Sequence, residues 1–219
     1  AQGILLALYA RARTGRGQHV DVGMLDSVAS LLTYQAGICF ATGAPAPRLG
    51  NRHPTIVPYE TFEASDGEVV LAVGNDDLWR RFCRVAGLEE LAGDERFATN
   101  RARVTHYDAL RPFLTQVFGR RTRADWIAAL DAAGVPAGSV RDVGEVLVDP
   151  QLQARHMVAS LTHPVTGDIK VLGIPVKLSE TPGALHLPPP RLGDHTDGVL
   201  EELGLDAARR AALRRDGVI

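Results

Sequence analysis

Tyr59-Glu60-Thr61-Phe62-Glu63-Ala64, followed by Ser65-Asp66-Gly67 and Glu68-Val69-Val70-Leu71-Ala72-Val73, is the stretch on which the fold reading turns. Two runs rich in β-branched and aromatic residues flank an Asp-Gly pair, the combination that closes a tight turn between antiparallel strands. Directly after it, Asn75 or Asp76 of Gly74-Asn75-Asp76 caps a helix through Leu78, Phe82 and Val85. Residues 89–133 then read as amphipathic helix, with one helix near Tyr107–Phe118 and another near Arg123–Ala133 capped by Thr122. Trp79 and Trp126 fall on helical faces as core anchors. The middle of the chain is therefore an α+β block.

Upstream, Ala1 to Arg13 is helical, with Ile4, Leu5 and Leu8 on one face, and Gly15 suits the left-handed position that ends a helix. Gln18-His19-Val20-Asp21-Val22 alternates as a short strand, and Asp26 to Ala41 returns to helix, apolar almost all round and so buried between layers. This order is the rhythm of an α/β sheet edge. No capping residue precedes Ala1, which reads as the chain being the C-terminal part of something longer. Downstream, Gly134–Gly138 breaks the helical pattern and Asp149-Pro150 opens another short helix. Met157–Leu161 pairs with Asp168–Leu172 across the turn Pro164–Gly167, and two short helices finish the chain. The Pro- and Gly-rich stretches at 42–58 and 182–190 look like two crossings. They divide the chain into an outer body (1–41 and 191–219) and a small inserted domain (59–181).

Composition narrows the function. A hydrophobic fraction of 45% with 23% charged residues is that of an ordinary folded chain. A net charge of −2 gives no electrostatic case for nucleic acid or anionic membrane, and Gly3–Ala10, read as the longest apolar run, is too short to span a bilayer. The two cysteines, Cys39 and Cys83, form no CxxC pair, and the seven histidines share no metal-like spacing. GxGxxG, Walker, HExxH and GxSxG motifs are absent. A cytoplasmic enzyme or binding protein without a metal is what remains.

Two loop segments carry candidate site residues. Asn51 and His53 lie in Gly50-Asn51-Arg52-His53-Pro54, which leads to Tyr59 and Glu60. Gly74, Asn75 and Asp76 open a helix, where backbone N–H groups can hold a carboxylate or thioester oxygen. The plainer readings are loop stitching for Asn51 and His53, and helix capping for Asn75 and Asp76.

A resemblance takes the reading further. Gly3–Leu8, Arg13–Val22 and Leu25-Asp26, then Gly50-Asn51-Arg52-His53-Pro54-Thr55-Ile56-Val57-Pro58-Tyr59 and Ala72-Val73-Gly74-Asn75-Asp76, resemble the class III CoA-transferases, the formyl-CoA and carnitine CoA-transferase group. Asp66-Gly67, Gly134–Gly138, Asp149–Leu152, Pro164-Val165 and Leu192-Gly193-Asp194-His195-Thr196 continue the match in order.

The resemblance implies an α/β fold: the C-terminal part of a Rossmann-like large domain with an inserted small α+β domain. It also implies an interlocked homodimer. Coenzyme A and acyl-CoA enter as substrates, with a small carboxylic acid as acceptor and no covalently bound cofactor. The nucleophilic aspartate of the family, which passes through anhydride and thioester intermediates, falls upstream of Ala1, so no catalytic residue is assigned here. On this reading Gly74-Asn75-Asp76, with Tyr59 and Glu60, walls the acyl group, and Asp76 turns back as a cap.

A 2-methylacyl-CoA racemase of the same fold is the rival activity. The Asn-x-His-Pro-x-Ile-x-Pro-Tyr pattern and a Val73–Asp76 loop without glutamate favour transfer. A non-catalytic interaction module is the third reading.

Overall fold

The computed structural model describes residues 1–219, which divide into two compact units, Ala1–Ser139 and Val140–Ile219. The first begins with α1 (Gln2–Thr14), ended by Gly15 in the left-handed conformation at φ 72°, its N–H bonded to the Arg11 carbonyl. Helices α2 (Met24–Ala29) and α3 (Thr33–Thr42) follow, joined by the 3₁₀ turn Ser30–Leu32.

Two expectations fail in this region. Gln18–Val22 forms no strand, because the chain offers it no neighbouring edge; Val20 instead lies on α1, where a Cβ at Gly3 would come within 3.1 Å of it. The apolar helical run is exposed rather than buried: Met24, Leu25, Leu31 and Phe40 are 74–86% accessible, since no element of this unit covers them. Met24–Thr42 spans 19 residues at a mean hydropathy of 1.2, long and apolar enough by length and composition to cross a membrane. The 3₁₀ turn, ending at Thr33 with φ 43°, breaks its regularity.

The core belongs to the block after residue 56. Strands β1 (Tyr59–Ala64) and β2 (Gly67–Ala72) pair antiparallel in the register Tyr59↔Ala72 to Ala64↔Gly67, leaving Ser65-Asp66 as the two-residue loop. Alternation sends Phe62, Ala64, Val69 and Leu71 to the buried face.

Next come α4 (Asp76–Ala86), α5 (Glu89–Gly93), α6 (Asn100–Thr105), α7 (Tyr107–Phe118) and α8 (Arg123–Ala132). The short β3 (Ala137–Ser139) then joins β2 to complete a sheet in the order β1-β2-β3. Phe118 stacks on Phe62 at 4.6 Å and tilts against Trp126 at the same distance, while the Trp126 indole N–H donates to the Phe118 carbonyl. Trp79 and Trp126 are both fully buried. The hairpin tip docks on α8, with Asp66 Oδ1 accepting from the Arg123 N–H at 2.7 Å.

In the second unit, α9 (Val143–Leu147) carries a reciprocal capping box between Asp142 and Glu145. Asp149 caps α10 (Pro150–Ala154), with proline at the first turn. Strands β4 (Val158–His163) and β5 (Gly167–Leu172) form a separate antiparallel hairpin, and α11 (Thr196–Glu202) and α12 (Ala207–Arg215) follow. No residue of this unit is fully buried.

Candidate functional site

The segment 50–58 runs beside β1 and is pinned to it. The His53 N–H donates to the Tyr59 carbonyl at 2.9 Å, and the His53 ring lies between Tyr34 (5.8 Å) and Tyr59 (5.3 Å, 7° from parallel). His53 Nδ1 accepts from the Thr55 N–H at 3.2 Å, which leaves Nε2 as the nitrogen that carries the proton. Asn51 donates to the Thr61 hydroxyl at 3.3 Å. Both residues thus stitch the loop, and His53 also supplies the middle ring of an aromatic stack.

Tyr59 and Glu60 do not share a wall. Neighbouring residues of a strand face opposite ways. Tyr59 is 39% exposed on the His53 side, whereas Glu60 is buried beneath α7. There Glu60 Oε2 accepts from the Tyr107 hydroxyl at 2.9 Å and from Arg111 Nε at 2.8 Å, while Oε1 is buried and meets no donor. The Arg52 guanidinium lies over the Tyr107 ring at 4.0 Å. Burial first, and then the Glu60 carboxylate, raise the Tyr107 pKa. Burial works against the Arg111 charge, yet the Glu60 hydrogen bond and charge prevail and raise its pKa.

The turn Gly74-Asn75-Asp76 stands at the end of β2, where the Val73 N–H donates to the Pro58 carbonyl across a cis Val57–Pro58 bond. Asn75 is the N-cap of α4, its Oδ1 accepting from the Leu78 N–H at 2.9 Å. Gly74 is exposed, and a Cβ there would meet nothing within 4 Å.

Asp76 departs from its expected role. It does not cap its own helix; its Oδ1 accepts from the Asn100 N–H at 2.8 Å, the first residue of α6, and from Arg103 Nη2 at 2.9 Å. Arg103 is fully buried and stacked on Trp79, and its other nitrogens reach the Val57 and Phe97 carbonyls. Burial lowers the Arg103 pKa, opposed by Asp76.

Sequence reasoning missed Tyr34, Asn100, Arg103, Tyr107 and Arg111, because each reaches a site partner 19 to 51 positions away, even where, as for Arg103 and Phe97, it also has a near one. A cation on a one-turn helix carries no local mark of burial.

This site can hold and orient but has no ready nucleophile. Asp76 and Glu60 are engaged, Asp77 pairs with Arg81 at 2.7 Å, and burial pushes the Cys83 thiol up to about 12. No three His, Cys, Asp or Glu side chains converge on a point where a metal ion would sit.

Three relatives place the chain. A succinate–glutarate CoA-transferase of Agrobacterium fabrum is 38% identical over 200 residues, covering 91% of this chain and 50% of its own length. An acyl-CoA transferase of Fusarium pseudograminearum is 38% identical over 218 residues, covering 99% of this chain and 48% of its own. The crystal structure of a CAIB/BAIF family protein from Brucella suis superposes with a TM-score of 0.76 at 39% identity, covering 91% of this chain and 52% of that one. The chain thus spans about half the length of the curated relatives it matches. The model of CoA-transferase family III matches residues 1–196, and with that span the chain belongs to CoA-transferase family III.

Proposed function

We propose that the protein containing this chain moves coenzyme A from an acyl-CoA thioester to a free carboxylic acid. The observation that carries this reading is the family match over residues 1–196. On this reading an aspartate upstream of Ala1 attacks the thioester carbonyl, releasing CoA thiolate and leaving a mixed anhydride. The thiolate then attacks the aspartyl carbonyl, which frees the first acid and leaves an aspartyl-CoA thioester. The acceptor carboxylate repeats the two steps in reverse order, departing as the new acyl-CoA and restoring the aspartate.

The residues of this chain contribute position. The open Gly74 turn, the free amide N–H₂ of Asn75 and the His53–Tyr59 stack form the wall facing the acyl group. The wall's donors favour negative charge developing on the thioester oxygen. The exposed apolar helices α2 and α3 belong to a Rossmann-like large domain, where the remainder of an interlocked homodimer covers them. The small domain comprises residues 59–181. Short dicarboxylic acids are the first acceptors to try, since the Agrobacterium relative is named for succinate and glutarate.

The test uses the full-length protein with succinyl-CoA and isotopically labelled glutarate. Label appearing in glutaryl-CoA, with free succinate in equal amount, is the expected result. Deuterium entering the α-carbon of a 2-methylacyl-CoA in the absence of an acceptor acid would instead make the protein a racemase. Neither reaction would leave the interaction-module reading.

A further inference from the structure

Four polar groups of three residues meet between the two loops of the candidate wall. Asp76 is the third residue of the glycine turn. Asn100 grips the other loop twice, donating through Nδ2 to the Thr55 carbonyl at 2.8 Å and accepting from the Val57 N–H at 3.0 Å. Arg103 adds Nε to the Val57 carbonyl at 2.6 Å. Both α6 residues then reach back to one oxygen, Asp76 Oδ1, at 2.8 and 2.9 Å.

We propose that Asp76, Asn100 and Arg103 are positioning residues for the transfer reaction, a clamp that makes the glycine turn and the Thr55–Val57 segment move as one rigid body. This rests on the reading of those loops as the wall over the acyl group. The physical argument is the way the bonds are distributed. Arg103 is fully buried, so each of its donors must find an acceptor, and these acceptors lie on three separate segments. Loosening any one of them leaves a buried guanidinium N–H unpaired, so the loops resist separate motion. A loop displaced by an ångström far from the bond being broken can slow a reaction about 100-fold.

Both contacts fall on one oxygen, so the clamp needs an acceptor at that point more than it needs a charge. Asn in place of Asp retains that oxygen, whereas Ala does not. In the full-length protein, Asp76→Ala should lower kcat about 10- to 100-fold with KM for the acyl-CoA donor within about twofold. Asp76→Asn should stay within about threefold of wild type in kcat. Amide exchange at Val57 and Asn100 should quicken in Asp76→Ala and not in Asp76→Asn.

Equal losses in Asp76→Ala and Asp76→Asn would overturn the clamp, as would wild-type turnover in a folded Asp76→Ala. If Asp76→Ala fails to fold, Asn100→Asp decides, because it keeps the Val57 contact and loses the donor to Thr55. An Asn100→Asp protein that folds and turns over as wild type also sinks the proposal. Asn75→Asp, measured alongside, separates the two layers of argument. Turnover lost there but intact in Asp76→Ala rejects the clamp alone, and turnover intact there and in Gly74→Ala rejects the wall itself.

Discussion

The Tyr107 hydroxyl donates to Glu60 Oε2 at 2.9 Å, tying α7 to the edge strand of the sheet on the face away from Tyr59. Arg111 reaches the same oxygen, so a single carboxylate atom holds two side chains one helical turn apart. A hydroxyl bonded to a charged acceptor contributes about 1.5–3 kcal/mol when buried. Tyr107 is partly exposed and Arg111 still serves Glu60. Tyr107→Phe should therefore lower the unfolding free energy by about 1–2 kcal/mol in urea titrations, with an unchanged m value.

The same bond sets an alkaline limit. The folded Tyr107 pKa is raised by burial and by Glu60, so its contribution is complete below the unfolded value and is lost as pH climbs through the folded one. Stability should fall above about pH 10, and Tyr107→Phe should remove part of that fall. Absorbance at 295 nm should show one tyrosine ionising above the ordinary tyrosine range, and Tyr107→Phe should abolish that late step.

At the wall, capping and chemistry can be separated by the choice of side chain. Asn75→Ala removes the α4 cap and should cost about 1 kcal/mol of stability. Asn75→Asp retains the cap oxygen and loses only the amide donor. Turnover in full-length Asn75→Asp should drop about 10- to 100-fold, equivalent to roughly 1.4–2.7 kcal/mol, with little change in Tm. Gly74→Ala meets no atom of this chain, so a loss of turnover there would place substrate against the turn.

Cys83 is fully buried on the inner face of α4, and burial pushes its thiol up to about 12. At pH 8 only about one molecule in 10⁴ carries the thiolate, the form that reacts. A disulfide reagent should leave Cys83 unmodified in the folded protein and modify it at the rate of global unfolding. Modification at the rate of an open thiol would refute this packing.

Gly67 sits at φ 136°, where L-residues are strained, and a Cβ there would come 3.2 Å from the Arg123 side chain. Gly67→Ala should destabilise the protein by about 1–3 kcal/mol, read from the denaturation midpoint.

What the sequence revealed was local. The hairpin, the Gly15 stop and the caps Asn75, Thr122 and Asp149 follow from residues within a few positions of one another. Gln18–Val22 misled because alternation describes a strand's faces but cannot supply the strand beside it. Asp26–Ala41 misled in a related way: an apolar surface predicts a cover, and this chain contains none. The pairing of Tyr59 with Glu60 on one wall contradicted strand alternation, which was readable from the start. Arg103 was hidden because its burial depends on Val57, Phe97 and Asp76 arriving from three places at once.

Every fully buried residue lies between Val57 and Val135, and β3 closes the sheet four residues later. A protease working on the folded chain would therefore meet accessible backbone on both sides and a resistant kernel between them. That kernel holds the glycine turn, the Val57–Tyr59 end of the other loop, the buried Arg103 and both tryptophans. Trimming from either end should leave its indole fluorescence unchanged, which makes the kernel a convenient size for following the wall's motions by nuclear magnetic resonance.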